Sequence, residues 1–213
     1  MQDPHLTVNE STYRALRDKI LFGELAPGCQ VTIRGLAESL AVSPTPVRET
    51  VRRLIAERAL EMHDNRRVSI PVMDNQRFQE IRLARLMIEP ELALQALTKI
   101  QPHDIQSLID IDKTMDIALE KQDVNAYMRG NYEFHFTIYR LASEGVLLGL
   151  VESLWLQFGP YMRQIYAHLG KVPIDDQHRA ATRALQEGDS IGFKNAIIED
   201  LQQGMTFIGC SNT

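Results

Sequence analysis

Val42-Ser-Pro-Thr-Pro-Val-Arg-Glu49 decides how this chain is read. Ser43 is a residue type that caps helix starts, Pro44 suits the first helical position, and Glu49 favours the early turns. A helix is therefore predicted from Ser43 to about Arg58, burying Val47, Val51, Leu54 and Ile55. Just upstream, Thr32 starts a shorter predicted helix through Leu40, with Ile33, Leu36, Ala37 and Leu40 inward and Ala41-Val42 as the connection. Further back, Tyr13, Leu16, Ile20 and Leu21 recur at helical spacing behind a cap at Ser11 or Thr12, and Pro27-Gly28 marks a turn. Downstream, Leu60-Glu-Met62 and Arg67-Val-Ser-Ile-Pro-Val72 are β-like runs around His63-Asp-Asn-Arg66. Two helices, a turn, a third helix and a hairpin make a winged helix-turn-helix.

Charge fits this division. The chain has 213 residues and a net charge of −5, which taken whole argues against nucleic acid. Residues 1–73 carry +1 and residues 74–213 carry −6, and seven arginines fall between Arg34 and Arg67. Ser43 and Thr45 offer hydroxyls beside free helix-start amides, a good setting for phosphate oxygens. Arg48 lies one turn further in, within reach of a base edge or a phosphate. Arg34 opens the preceding helix, and Arg66 and Arg67 sit on the hairpin. Taken singly, each arginine is equally well a solvated helix face. Together with the capped helix and the hairpin, they indicate double-stranded DNA.

The second segment, residues 74–213, reads as an antiparallel bundle with helices expected at 75–98, 102–121, 123–142, 145–168, 174–187 and 189–207. The breaks include Gln101-Pro102, Ser143-Glu-Gly145 and Lys171-Val-Pro173. The fold class is thus mainly α. Asn131 and His135 are four apart and share a helix face. His178 begins one amphipathic pattern and Asp200 lies within another. Nitrogen and oxygen donors from three helices can hold a divalent metal with positions left open. The alternative is a satisfied core histidine and an aspartate on a wet face.

Several classes fall away. No apolar run of 18 residues exists, so no membrane span is expected. Residues 1–10 lack the basic start and apolar stretch of a secretory signal. Cys29 and Cys210 stand far apart, consistent with a cytoplasmic setting.

Residues 10–72 resemble the DNA-binding domain of the GntR family of bacterial regulators. The resemblance rests on Ile20-Leu-Phe-Gly-Glu-Leu-Ala-Pro-Gly28, Leu36-Ala-Glu-Ser-Leu40, Val42–Glu49 and Arg53-Leu54. It implies operator contact by Arg34, Ser43, Thr45 and Arg48, with the wing tip near Asp64-Asn65. Position 58 is Arg where the family commonly has Gly, and the wing tip also lacks its usual Gly.

Residues 76–207 resemble the helical effector domain of the FadR subgroup, the FCD domain. Arg85-Leu-Met-Ile-Glu89, Asn131-Tyr-Glu-Phe-His135, and Asp176-Gln-His178 followed by Ala184–Asp189 carry that resemblance. The family's usual Asp, His, His and His stand here as Asn131, His135, His178 and Asp200. The resemblance implies a divalent metal, Zn²⁺ or Ni²⁺ rather than Mg²⁺ for imidazole donors. It places Arg85 near the pocket as a partner for a carboxylate effector, the alternative being a surface ion pair with Glu89. Tyr161 and Arg163, in Gly159-Pro-Tyr-Met-Arg163, are further candidates to line the pocket, or they simply pack beside the Pro160 kink.

The expectation is a ligand-responsive repressor of a metabolic operon. A homodimer would set two copies of the 43–57 helix in successive major grooves, and a small organic acid would bias its geometry. Two other readings stand beside it. One is a metal-dependent enzyme built on His135, His178 and Asp200, although no HExxH, P-loop, dinucleotide fingerprint or nucleophilic triad accompanies them. The other is a regulator whose pocket is vestigial.

Overall fold

Thr32 and Ser43 both stand in extended backbone just before the first residue of a helix, and from these two points the first part of the molecule is organised. The computed structural model describes residues 6–142, 145–169 and 176–209, with side chains outside 165–169 and 206–209. The chain divides into two compact units. The first is Met1–Asp74 together with Trp155–Tyr161, and the second is Asn75–Leu154 with Met162–Thr213.

In the first unit, α1 spans Val8–Leu21, β1 Val31–Thr32, α2 Ile33–Ser39, α3 Pro44–Ala56, β2 Glu61–Met62 and β3 Arg67–Ser69. The Thr32 hydroxyl accepts from the Gly35 amide at 3.0 Å, as its position predicts. Leu16, Ile20, Val47, Val51, Leu54 and Val68 are fully buried and form one small core between the helices and the sheet.

Three expectations need correction here. α1 begins at Val8 behind Thr7, whose hydroxyl accepts from the Glu10 amide at 3.2 Å. Ser11 and Thr12 lie inside the helix, where each hydroxyl donates back to the Val8 carbonyl. The expected two-stranded wing is a three-stranded sheet of order β1-β3-β2, with both pairings antiparallel. β1 is only two residues long, too short for any alternation to show. Finally, Ser43 occupies the capping position just before α3 but makes no side-chain capping bond.

Several helices close with the same turn. In it an amide three residues past the helix bonds a carbonyl five residues back, and the residue just before that amide has left-handed backbone. Val42 N–H to Ala37 O closes α2 around Ala41 at φ +54°. Ala59 N–H to Leu54 O closes α3 around Arg58 at φ +60°, and Asp123 N–H to Ala118 O closes α5 around Gln122 at φ +56°. Arg66 bends the β2–β3 turn at φ +59°. Arg58 and this wing turn are the two places where the family's glycine is missing, so the family preference has a backbone cause. Gly159, within the first unit, has another. A Cβ there would collide with the Leu21 carbonyl.

The second unit is helical, with α4 Asn75–Ala96, α5 Pro102–Glu120, α6 Val124–Ala142, α7 Val146–Leu169, α8 Gln177–Glu187 and α9 Ser190–Gly209. Residues 155–161 of α7 belong to the first unit. The expected helices are all present. The Lys171-Val-Pro173 break and the expected start at 174 lie outside the described residues, and α8 opens behind Asp176, whose carboxylate accepts from the Arg179 amide at 2.9 Å. α6 packs against α4 and α5, and α9 against α4 and α8. This puts the inward faces of α6, α8 and α9 around a common interior. Among the described residues, no helix is long and apolar enough to cross a membrane.

Candidate functional site

The polar candidates of the first unit lie on α2, on α3 and its cap, and on the wing. Arg34, Ser43, Thr45, Arg48, Asn65 and Arg66 are all exposed. Ser43 makes no capping bond, so its hydroxyl and the Thr45 amide remain available to a phosphate, while Pro44 and Pro46 carry no N–H. The arginines of α3 divide by role. Arg52 pairs with Glu49 at 3.0 Å. Arg53 lies 3.4 Å over the Tyr13 ring and pairs with Glu57 and Glu10. The Tyr13 hydroxyl, half-buried and bonded to Glu57, is pushed up to about 12 by burial and by that carboxylate. Arg53 therefore fastens α3 to α1. Arg34, Arg48, Arg66 and Arg67 have no carboxylate partner among the described residues, which leaves their charge for a ligand. Asn65 is partly engaged within the wing. Its Oδ1 accepts from the Arg67 amide at 3.0 Å, and its Nδ2 donates to Gln30 Oε1 at 3.4 Å.

The second unit holds a polar pocket. α6 supplies Asn131 and His135 one turn apart, α8 supplies His178 and α9 supplies Asp200. His135 Nε2 lies 3.0 Å from Asp200 Oδ2, and His178 Nε2 lies 3.4 Å from Asp200 Oδ1, without hydrogen-bond geometry. The imidazole rings meet edge to face at 5.5 Å, with Phe134 edge-on to His178 at 4.5 Å. The side chains of His135 and His178 are 1% and 9% exposed, and that of Asp200 is 20% exposed.

Two buried atoms in this region have no hydrogen-bond partner among the described residues, Asn131 Oδ1 and His178 Nε2. Orphaned buried polar atoms are uncommon and costly. Asn131 Oδ1 offers a lone pair, as does His178 Nε2 when the ring is protonated at Nδ1, and one ligand atom each from His135, His178 and Asp200 lie within 4.8 Å of one another. Two imidazole nitrogens, a carboxylate and an amide oxygen are a donor set that suits Zn²⁺ or Ni²⁺. The residues present therefore fit a divalent metal. Burial pushes the Asp200 carboxyl up, but His178, His135 and Arg85 outweigh it and hold it at about 2. Burial pulls His178 down toward its neutral form, the form that ligates a metal.

Behind the pocket runs a buried chain of polar contacts. His135 Nδ1 lies 3.1 Å from the Tyr139 hydroxyl, which donates to Glu89 Oε2 at 2.8 Å. Arg85 donates to both oxygens of Glu89, through Nε at 2.5 Å and Nη2 at 3.3 Å. Sequence spacing offers Arg85 and Glu89 as a surface pair, whereas the observed pair is buried. Tyr139 belongs to none of the motifs in the sequence. It continues the stripe Asn131, His135, Tyr139 at steps of four, which is the signal that points to it.

One ring nitrogen of His178 and one oxygen each from Asp112 and Asp176 also lie within 4.8 Å of one another. Burial, followed by Asp176 and Asp116, pushes the Asp112 carboxyl up to about 6 against the opposing pull of Arg179.

The remaining sequence candidates are placed elsewhere. Tyr161 belongs to the first unit, where its hydroxyl donates to the Pro71 carbonyl at 2.8 Å and accepts from the Met73 amide at 2.6 Å. Arg163 donates to Asn125 Oδ1 near the start of α6.

Two family models match the chain. "Bacterial regulatory proteins, gntR family" covers residues 8–70, and "FCD domain" covers residues 80–203. Among curated relatives, the HTH-type transcriptional regulator McbR of Escherichia coli K12 is 25% identical over 96% of this chain and 94% of its own length. The gluconate operon transcriptional repressor of Bacillus subtilis is 24% identical over 80% of this chain and 68% of its own. Among solved structures, E. coli McbR/YncC superposes with a TM-score of 0.90 at 24% identity, covering 98% of this chain and all of that one. A GntR-type regulator from Rhodococcus sp. RHA1 gives 0.77 at 19% identity, over 96% and 99% of the two chains.

Proposed function

Because the chain belongs to the gntR family of bacterial regulatory proteins with an FCD domain, and is thus a DNA-binding transcriptional regulator rather than an enzyme, we propose that it represses a metabolic operon and is switched by a small organic acid. The relatives named as repressors, among them that of the gluconate operon, support repression and a metabolic target. The cytoplasm is the compartment in which such a protein meets its operator.

Operator contact falls to Arg34, Ser43, Thr45 and Arg48, with Asn65 and Arg66 on the wing. The observation behind this is the division among the arginines, since Arg34, Arg48 and Arg66 lack the carboxylate partners that occupy Arg52 and Arg53. A homodimer would present two α3 helices to half-sites one helical turn apart.

In the effector domain, Asn131, His135, His178 and Asp200 would hold the divalent metal. The orphaned Asn131 Oδ1 and His178 Nε2 carry this reading. A bound metal supplies a Lewis-acidic centre whose charge, only half offset by the single carboxylate of Asp200, favours an anionic ligand. Arg85, committed to Glu89, supports the ligand set from behind. Arg163 and Tyr161 have weaker claims, given their bonds to Asn125, Pro71 and Met73. Such a ligand switches the protein only through unequal affinity for its operator-competent and incompetent states.

The test has two arms. Fluorescence anisotropy on DNA flanking the gene should show salt-sensitive, sequence-preferring binding that an organic acid weakens. Elemental analysis of protein prepared without chelators or metal columns should find about one transition metal per chain. Operator binding unmoved by any acid, in protein that takes up no metal, would instead favour a vestigial pocket.

A further inference from the structure

We propose that Tyr139 and Glu89 are positioning residues for His135, keeping a proton on its Nδ1 and so turning the Nε2 lone pair toward Asp200 and the metal. This rests on the metal reading of the pocket given above. The direction of each hydrogen bond along the buried chain leads to it. Glu89 is held by Arg85 at both oxygens, and an ion-paired carboxylate only accepts. The Tyr139 hydroxyl has one proton, and Glu89 Oε2 at 2.8 Å takes it. Toward His135 Nδ1, at 3.1 Å, the phenol oxygen can therefore only accept. Nδ1 must then carry the hydrogen.

With Nδ1 protonated, the nitrogen left for coordination is Nε2, which lies 3.0 Å from Asp200 Oδ2. A neutral ring would present a lone pair to a carboxylate, so a cation, whether a proton or a metal ion, belongs between them. Histidine ligands in metal sites commonly have the second ring nitrogen fixed in this way by an outer partner. Here the outer partner spans two helices, since Glu89 on α4 and Tyr139 on α6 are 50 positions apart. Both side chains are completely buried, so bulk solvent does not substitute for either. Arg85 acts one step further out by fixing the Glu89 carboxylate.

The test uses the full-length protein and Tyr139→Phe, which removes the hydroxyl but keeps the ring packed near Phe136. Nitrogen-15 NMR of the histidine rings at neutral pH reads which nitrogen carries hydrogen. Competition with a chromophoric chelator reads Zn²⁺ affinity. In the metal-free wild type, His135 Nδ1 should be protonated, and it should stay so when Zn²⁺ binds Nε2. In Tyr139→Phe, the form protonated only at Nε2 should become populated and Zn²⁺ affinity should fall about 10- to 100-fold, the usual cost of losing an outer partner. Thermal unfolding should remain cooperative. A wild-type His135 protonated only at Nε2 would overturn the proposal, as would a variant with unchanged ring protonation and unchanged Zn²⁺ affinity. A wild type that takes up no Zn²⁺ would defeat the metal reading and the ligand-orienting role together, while the ring measurement would still decide where the proton sits.

Discussion

Arg85 and Glu89 form a two-point ion pair one helical turn apart, with side chains 2% and 0% exposed. A pair this deep gains little over an apolar substitute, yet it is costly to break, because the surviving charge stays buried without its main counter-ion. Glu89→Ala should destabilise the protein by about 3 to 5 kcal/mol in urea unfolding. The double replacement Arg85→Met with Glu89→Leu should recover most of that loss. Equal destabilisation by the single and double variants would show that the pair is not the source.

Arg48→Ala should weaken operator binding by about 1 to 3 kcal/mol, with circular dichroism unchanged. If Arg48 meets a phosphate, the loss should be similar on all sequences and the salt dependence shallower by about one ion. If it meets a base edge, discrimination at one operator position should relax. Arg52→Ala, whose charge already pairs with Glu49, should have the smaller effect.

The left-handed residues allow a test of the backbone. A non-glycine residue there costs roughly 1 to 2 kcal/mol, part of which glycine gives back through its greater freedom when unfolded. Arg58→Gly and Gln122→Gly should therefore each raise stability, by up to about 1 kcal/mol. Gly188→Ala, at φ +70° in the equivalent turn after α8, should lower it by a similar amount. Differential scanning calorimetry reads all three.

Asp112 gives the metal-free protein a pH dependence. Its carboxyl stands at about 6 when folded, against about 4 when unfolded, so the folded state keeps the proton longer. The contribution of this one group is therefore full below about pH 4 and is lost as pH rises through about 4 to 6, by about 1 to 2 kcal/mol after solvent screening. Asp112→Asn, measured with chelator present, should remove that slope. An unchanged slope would assign it to another group.

Zn²⁺ should raise the melting temperature of the wild type but not that of His178→Ala or Asp200→Ala. Asn131→Ala should keep a reduced response, since an amide oxygen is the weakest of the four donors. Differential scanning fluorimetry over a Zn²⁺ series makes the comparison.

How much of this is legible in the sequence depends on the distance over which each feature acts. Thr32, Ser43 and Pro44 announce two helix starts, because capping is settled within a few residues. The three neighbouring hydroxyls at Thr7, Ser11 and Thr12 are chemically similar, and the local pattern does not say which stands outside the helix. β1 exists only through its pairing with β3, as Val31 opposite Val68 and Thr32 opposite Arg67, a relation between segments far apart in the chain. The meeting of His135, His178 and Asp200 is foreshadowed by motifs. The Glu89–Tyr139 link is not, because it joins two helices and neither residue is unusual in its own. Tyr161 reads as a candidate for the pocket, but its partners Pro71 and Met73 lie 90 and 88 positions away in the chain.

The unpartnered atoms of Asn131 and His178 also bear on how this chain would evolve. Each buried, unsatisfied group costs on the order of 1 to 3 kcal/mol, and an apolar residue of similar shape would avoid it. A lineage selected for stability alone would discard these two side chains early. Their presence in the middle of an otherwise well-packed bundle marks it as the region where the sequence answers to something other than folding.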